Sequence, residues 1–308
     1  MRRLLLAITI VGSMALPSAA RADDDLEGML ESAAEADFHG VGVVMCTWDD
    51  DSAATTYEVT RSDGMSMVHG PSGDFMLSSG LSASRSGADW YALEVAEWSA
   101  WSLSDRYSLG EQISTTRLGR AATEVMVMEG DLARARLVID DISTVPLLTE
   151  ILDSAGNVFR LAVMIEFDSE PAAMDVPEDF HEREMLMPAA PSDRLPAEIF
   201  GYRRVDSYAS GDGTQTFYSD GLFSFSVFES KRGSRPEAFD AATRFEVVGE
   251  KYRRIVTPSN VWVHWDAPNH SYVLVGDLPP DHILAVLQEL PEPGNRGFLV
   301  RLWRRLFG

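Results

Sequence analysis

The chain has 308 residues, of which 24% are charged, and its formal net charge at pH 7 is −22. A surface this acidic repels nucleic acid and anionic lipid over most of its area, which argues against a nucleic-acid-binding protein. Cys46 is the only cysteine, so an intrachain disulfide and a paired-cysteine zinc site are both excluded. Because it lies in the strand-like run Val41–Trp48, we expect a buried, unreactive thiol.

The first 22 residues have the pattern of a signal peptide. Arg2 and Arg3 precede the apolar run Leu4–Leu16, which is shorter than the about 20 residues that a membrane span needs. Ala20-Arg21-Ala22 supplies small residues for cleavage before Asp23. We therefore expect an exported protein, periplasmic or otherwise extracytoplasmic, with a mature charge of −25 once three arginines are removed. The alternative is an uncleaved membrane anchor.

Composition divides the mature chain into two domains. The N-terminal domain spans 23–168, and a linker rich in proline and acidic residues spans 169–194. The C-terminal domain spans 195–292, and a basic tail follows at 293–308.

In the first domain the sequence predicts a helix and then an antiparallel meander. Apolar residues at helical spacing place the helix at Leu26–Ala34. Turn residues separate paired strand-like runs, which are Tyr57–Arg61 with Met65–His69, Ala122–Met128 with Leu132–Asp140, and Leu147–Leu152 with Val158–Phe167. The segment Trp90–Leu103, with Trp90, Trp98 and Trp101, fits either a helix or a pair of strands.

The last of these strands alternates, which predicts one shared face for Phe159, Leu161, Val163, Ile165 and Phe167. A curved apolar sheet under a helix can enclose an acyl chain, and methionine adapts to irregular apolar ligands. The candidate ligand cavity therefore comprises Phe159, Leu161, Val163, Ile165, Met126 and Met128. The alternative is that these residues form an ordinary hydrophobic core.

The second domain reads as seven strands and a final helix. The strands are predicted at Tyr202–Tyr208, Gln215–Tyr218, Leu222–Glu229, Phe245–Val248, Arg253–Thr257, Asn260–Asp266 and His270–Val275. Pro280 suits the first turn of the helix, whose apolar stripe is Ile283, Leu284, Leu287 and Leu290.

The C-terminal tail combines apolar residues at helical spacing with arginines and contains no acidic residue. Such a segment is typical of contact with a membrane surface or a partner, and its candidate interface residues are Arg301, Trp303, Arg304 and Arg305. The alternative is a terminal helix that folds back on the acidic surface of the protein.

No motif in the chain points to catalysis. The sequence contains no nucleophile elbow, no P-loop and no helical histidine pair, so we predict no catalytic or metal-ligating residue and no cofactor. His264, Asp266 and His270 could approximate a metal site, but exposed loop histidines are the expectation. Asp49-Asp50-Asp51 lacks the spacing of a calcium loop, which favours a solvated turn. We expect a binding protein and not an enzyme.

The stretch Tyr218–Phe228 reads as a turn, Ser219-Asp220-Gly221, followed by a strand with an aromatic face. Its residues Tyr218, Asp220, Gly221, Phe223 and Phe225 closely resemble a motif of the C-terminal domain of the MucB/RseB family. The stretch Val275–Pro280 resembles the family's G-E-L-P-P turn, with Asp277 in place of glutamate. The segment Leu118–Phe167, with Gly119-Arg120 and Val138-Ile139-Asp140, resembles the family's N-terminal domain, which is similar to the LolA and LolB lipoprotein carriers.

The resemblance implies an α+β fold. Its N-terminal part would be a curved antiparallel β-sheet, a LolA-like half-barrel with helices over the concave face, and its C-terminal part a smaller α+β domain. It also implies a negative regulator of an envelope-stress sigma-factor pathway, which binds the extracytoplasmic part of a membrane-anchored anti-sigma factor and senses a lipid or lipopolysaccharide-like ligand. The alternative is a periplasmic lipid or lipoprotein carrier or sensor without a sigma-factor link.

Overall fold

The computed structural model describes residues 36–62, 65–69, 93–94, 105–170, 188–210, 213–233 and 236–294, and the isolated positions 28 and 32. Gly28 and Ser32, both within the predicted first helix, are helical. The predicted signal peptide, most of the linker, and the tail residues Arg301, Trp303, Arg304 and Arg305 lie outside the described residues. The same is true of Trp90, Trp98 and Trp101.

The first half of the chain builds one antiparallel sheet, here called the first sheet. Its strands are β1 (Phe38–Trp48), β2 (Asp51–Ser62), β3 (Met65–His69), β4 (Leu93–Glu94), β5 (Tyr107–Arg117), β6 (Arg120–Glu129), β7 (Leu132–Asp140), β8 (Pro146–Leu152) and β9 (Val158–Asp168). Their order across the sheet is β4-β3-β2-β1-β9-β8-β7-β6-β5. The three predicted hairpins are confirmed, since β2 pairs with β3, β6 with β7, and β8 with β9.

One face of the first sheet is buried and is called the inner face. Val44 and Cys46 lie on it, together with Tyr57 of the neighbouring strand, because Gly42 and Tyr57 are paired. Gly42 must lack a side chain, since a Cβ there would lie 2.5 Å from the Tyr57 ring. The expectation for Cys46 is confirmed, because the thiol is buried and burial raises its pKa to about 12.

The second half of the chain builds the second sheet. Its strands are β10 (Glu198–Ile199), β11 (Tyr202–Ser210), β12 (Gly213–Ser219), β13 (Ser224–Lys231), β14 (Thr243–Val247), β15 (Glu250–Val256), β16 (Val261–Asp266) and β17 (His270–Gly276). They lie in the order β10-β11-β12-β13-β17-β16-β15-β14, again antiparallel. A 3₁₀ helix covers Glu237–Asp240, and helix α1 covers Pro280–Glu289.

Helix α1 begins at a proline and buries the predicted stripe. Pro280 needs no hydrogen-bond partner for its nitrogen in the first turn, so the chain can enter the helix there. Ile283, Val286 and Leu287 are buried, and so is Leu290 just beyond the last turn.

The two sheets share a hydrophobic core. One continuous cluster of buried side chains contains Cys46, Val127 and Leu137 of the first sheet together with Phe225 and Val263 of the second. The fold class is therefore the predicted one, a β-rich α+β protein built from two antiparallel sheets that do not close on themselves.

Candidate functional site at the junction of the two sheets

The motif Tyr218–Phe225 forms a tight turn between β12 and β13. Gly221 has φ of +91°, a conformation that residues with a side chain rarely adopt. The Oδ1 atom of Asp220 accepts the backbone N–H groups of Leu222 at 3.1 Å and Phe223 at 2.9 Å. The N–H group of Asp220 donates to the carbonyl of Phe223 at 3.2 Å, and the Ser219 hydroxyl accepts the N–H of Gly221 at 3.0 Å, so two adjacent residues fix the turn.

The second carboxylate oxygen of Asp220 reaches the first sheet. Its Oδ2 atom accepts a hydrogen bond from the Tyr107 hydroxyl at 2.6 Å, and Arg106 Nη1 lies 3.5 Å away. Burial raises the pKa of Asp220, and these donors oppose that rise. The motif residue therefore connects its own turn to the start of β5, 113 positions earlier in the sequence.

The aromatic residues of the motif pack around this turn. Phe225 stacks on Tyr218 with ring centres 4.9 Å apart and meets Tyr202 edge-on at 5.3 Å. Phe223 meets Tyr107 edge-on at 6.0 Å. Phe223 and Phe225 are 1% and 0% exposed, which confirms the predicted buried aromatic face.

A second polar cluster lies beside the motif and is centred on His282 of α1, whose side chain is fully buried. Nδ1 of His282 lies 2.6 Å from the Tyr202 hydroxyl, and Nε2 lies 3.1 Å from Glu129 Oε2. Glu129 also pairs with Arg106 at 2.8 Å and with Arg134, which in turn pairs with Asp281 at 2.8 Å.

The protonation of this cluster follows from burial and charge. Burial lowers the pKa of His282, although Glu129 pulls in the opposite direction. Burial acts to raise the pKa of Glu129, but the charges of Arg134 and Arg106 and a hydrogen bond from Arg134 lower it. At neutral pH the cluster therefore contains a neutral imidazole beside a carboxylate that is held between two arginines.

We call these two connected clusters the junction. It contains Arg106, Tyr107, Glu129 and Arg134 from the first half of the chain and Tyr202, Asp220, Asp281 and His282 from the second. A tyrosine, a histidine and a glutamate in series could transfer protons, but the buried His282 ring offers a substrate no access. The arrangement is suited to holding the two sheets in one orientation.

Two further arginines connect the sheets away from the junction. Arg254, which is 4% exposed, donates to Asp49 at 2.8 Å, to Asp51 at 3.1 Å and to the Trp48 carbonyl at 3.1 Å. The expectation of a simple solvated turn at Asp49-Asp50-Asp51 was incomplete, because two of its carboxylates pair with this buried cation.

Arg160 lies 3.3 Å from Asp277, the residue that stands in place of glutamate in the family-like turn. The other oxygen of Asp277 accepts the N–H of Ser224 at 2.8 Å, so the turn before α1 is tied to β13 and to the first sheet. As at Asp220, one carboxylate of the second sheet accepts a backbone N–H group beside the motif turn and also faces an arginine from the first half of the chain.

The family-like segments of the first sheet also meet. Arg120 donates twice to Asp140, at 2.7 and 3.1 Å, and Ser143 donates through its N–H and its hydroxyl. Although burial acts in the other direction, these donors lower the pKa of Asp140 to about 2. Two residues chosen from the sequence as parts of a resemblance are thus one bidentate pair.

The β9 residues from Phe159 to Phe167 do not share one face, so the predicted alternation along this strand was wrong. Leu161 and Val163 lie on the outer face of the first sheet, opposite Met45 and Val43, and are half-buried. Phe159 is buried instead in the core between the sheets.

Two shifts of register explain this division. Phe159 has no partner in β8, because Arg160 pairs with Ile151 and Val158 with Leu152. Ile165 has no partner in β1 and is 49% exposed. Each shift is a β-bulge, which interrupts the alternation of faces that a regular strand would keep. Phe167, the fifth residue of the predicted face, packs beside Phe38.

Met126 and Met128 are half-buried and lie beside Gly110 of β5. Met126 is on the outer face with Leu161 and Val163, since its partner Arg136 pairs with Glu150, which pairs with Leu161. Of the candidate cavity residues, Met126, Leu161 and Val163 therefore lie on one face of the first sheet, and Phe159 and Ile165 are separated from them.

The expectation of exposed loop histidines was wrong for His264. It is 3% exposed in β16, 5.2 Å from the Phe239 ring, with its Nε2 atom 3.9 Å from Asp266. His270 lies at the start of β17, 3.6 Å from Glu229. Within the described part of the chain, no three histidine, cysteine, aspartate or glutamate side chains gather as metal ligands.

Sequence reasoning identified Asp220 but missed the charged residues of the junction. Arg106, Glu129 and His282 carry no local motif, and the contact between Glu129 and His282 joins positions 153 apart. No helix in the described ranges is long and apolar enough to span a membrane.

No family model and no curated protein matches the chain. Similar proteins were found among solved structures. The crystal structure of MucB in complex with MucA(peri) is 18% identical, covering 87% of this chain and 97% of that one, with a TM-score of 0.47. The complex structure of Pseudomonas aeruginosa MucA/MucB has the same identity and coverage and a TM-score of 0.46. The crystal structure of MucB is 18% identical, with 86% and 96% coverage and a TM-score of 0.48.

Proposed function

We propose that this protein is an exported regulator that binds the extracytoplasmic part of a membrane-anchored anti-sigma factor and so restrains an envelope-stress sigma-factor pathway. The motif Tyr218–Phe225 carries the proposal. It resembles the MucB/RseB family in sequence, and its residue Asp220 connects the two sheets. Proteins of that family act by binding, and binding is the role for which a rigid two-sheet frame is suited.

The junction supports a binding role because it fixes the relative orientation of the two sheets. A partner that contacts both sheets loses less entropy on binding when the two are already held in place. Asp220 and Asp277 each accept a backbone N–H group of the second sheet and face an arginine of the first half of the chain.

The charge of the chain supports a basic partner. A net charge of −22 speeds association with a cationic segment and disfavours acidic partners. The anti-sigma segment that binds here is accordingly expected to be basic or neutral, and its binding is expected to weaken as salt is raised.

One observation favours a second candidate, a lipid or lipoprotein carrier or sensor. On the outer face of the first sheet, an apolar patch crosses four neighbouring strands; Ala122, Val138 and Leu148 in it are buried, and Leu161 and Val163 pack against them. Its half-buried members Leu161 and Val163 belong to the candidate ligand cavity. Lipid binding at this patch could act as a signal within the regulatory function. It could also be the whole function, that of a lipid carrier or sensor.

The test is crosslinking of the full-length protein in its native envelope, followed by purification and identification of bound protein and lipid by mass spectrometry. We expect a single-span anti-sigma protein, and we expect deletion of the gene to raise the output of a stress-sigma reporter. Stoichiometric lipid or lipoprotein without that partner, together with unchanged reporter output, would replace the regulatory function by the carrier function.

A further inference from the structure

The free edge of the first sheet is a long strand. Strand β5 has 11 residues and is the last strand of the sheet, paired with β6 on one side only. A bulge interrupts its pairing between Leu109 and Gln112, and from Gln112 to Arg117 the pairing with β6 is continuous. No described strand lies along its other side.

The geometry of the β5–β6 turn determines which backbone groups point outward. Leu118 and Gly119 have φ of +51° and +74°, as in a two-residue type I′ turn. In such a hairpin the flanking residues Arg117 and Arg120 bond to each other, and the bonded pairs then alternate along the strands. The N–H and C=O groups of Gln112, Ser114 and Thr116 therefore point away from β6.

This edge is accessible and carries little protection. The four consecutive residues Glu111–Ser114 are exposed, so both faces of the strand are open there, and Ile113 is 50% exposed. Between Gln112 and Thr116 there is no lysine, proline or charge of the kind that usually guards an edge. The Arg117 side chain points away from the free edge and back over the sheet, since it donates to the carbonyls of Leu147 and Met164.

The other end strands of the two sheets, within the described part of the chain, differ from β5. Strands β4 and β10 contain two residues each, too few to offer a further strand more than a short row of backbone groups. Strand β14 has five residues, and two of them, Arg244 and Glu246, are charged. Short length and charge are common protections of edge strands, and β5 has neither over Gln112–Thr116.

We propose that the edge Gln112–Thr116 is a docking site for an extended segment of a partner protein, which adds a strand to the first sheet. Main-chain hydrogen bonds to the three outward-facing residues would provide the affinity, and side chains at alternate positions the selectivity. An apolar residue of the segment would pack beside Ile113.

Charge decides which occupant suits this edge. A second copy of the chain would bring its own net charge of −22 and a second Glu111 to the contact, so repulsion disfavours pairing between copies. A neutral or basic segment of another protein meets no such barrier. The identity of that protein rests on the proposed function, in which the anti-sigma factor supplies the segment.

The experiment uses the mature protein and the synthetic peptide Ac-Lys-Thr-Val-Thr-Val-Thr-Lys-NH2, with amide hydrogen exchange measured by NMR. In the free monomer, the amides of Gln112, Ser114 and Thr116 are expected to exchange fast, and those of Ile113 and Thr115 slowly. Added peptide should protect the three fast amides. The same peptide N-methylated at all five internal residues, so that neither of its edges can donate, should give no protection.

Matched variants test the site itself. Ser114→Pro removes one outward N–H and none that bonds to β6, and proline is tolerated at such an edge position. It should weaken peptide binding about tenfold, the effect of one lost hydrogen bond and an added ring. Ser114→Ala should bind as the native protein does. Thr116→Pro serves the same purpose if Ser114→Pro lowers the melting temperature.

Three results would overturn the inference. They are slow exchange of the outward amides in the free monomer, equal protection by the N-methylated peptide, and self-association that Ser114→Pro abolishes. Failure of the proposed function is a separate result, because the peptide would still bind to the edge while the anti-sigma ectodomain did not. If that ectodomain bound Ser114→Pro as tightly as the native protein, its docking at this edge would be excluded.

Discussion

Replacing Asp220 with alanine is expected to destabilise the protein by about 3–5 kcal/mol, the cost typical of removing one partner from a buried ionic contact. The change removes the acceptor for two backbone N–H groups, at 3.1 and 2.9 Å, and for the Tyr107 hydroxyl at 2.6 Å. Each bond to a charged acceptor contributes roughly 1.5–3 kcal/mol, and the buried donors left behind add a desolvation cost.

Two effects keep the expected destabilisation at the lower end of the sum of these hydrogen-bond energies. Arg106 lies 3.5 Å from the carboxylate, so losing this weak ion pair adds little to the cost. Burial raises the pKa of Asp220, which means that the native protein already bears a cost for keeping this group ionised. Asp220→Asn, which retains an oxygen for the two backbone N–H groups, should cost about 1–2 kcal/mol.

The assay is urea unfolding followed by tryptophan fluorescence and far-UV circular dichroism. The matched control is Asp153→Ala, because Oδ1 of Asp153 also accepts two backbone N–H groups, from Ala155 and Asn157, but these bonds stay within the β8–β9 turn. A cost for Asp220→Ala no larger than that of the control would show that Asp220 fixes its own turn and does not connect the sheets.

Three further predictions concern other parts of the chain. Phe225→Ala should cost about 3–5 kcal/mol of unfolding free energy, because a fully buried ring would leave a cavity, and unchanged urea unfolding would mean that the ring is exposed. Because burial lowers the pKa of His282 from 6.5, stability should be full above pH 6.5 and fall as pH decreases through the folded-state pKa. His282→Gln should show a shallower fall in urea unfolding, and equal slopes for the two proteins would contradict this assignment. Deleting 297–308 should weaken binding to anionic vesicles in a sedimentation assay by about tenfold or more, since each arginine near such a surface contributes about 1 kcal/mol, and equal binding would remove the membrane interpretation.

Local pattern was sufficient for most of the secondary structure and for the motif turn. Period-2 alternation and turn residues placed most strands of both sheets, although the edge strand β5 and the two-residue strands β4 and β10 were not predicted, and Pro280 with the apolar stripe placed α1. Ser219-Asp220-Gly221 predicted a turn because aspartate bonds to nearby backbone groups and glycine accepts positive φ. These properties depend on neighbours in the sequence, so the sequence contains them.

The faces of β9 could not be read from the sequence. Alternation predicted one apolar side from Phe159 to Phe167, but pairing with β8 and β1 inserts a bulge at Phe159 and another at Ile165. A bulge arises from the fit between neighbouring strands, which this strand's own residues do not specify.

By itself, the sequence determined most of the strands, the last helix, the buried thiol of Cys46 and the turn at Asp220. Only the tertiary structure decided what Asp220 contacts and which charges are buried beside it. No local pattern predicts the contact between Glu129 and His282, because this contact depends on how the two sheets pack across their shared core. Local interactions specify elements, whereas a buried charge is stable only where a distant partner compensates its desolvation.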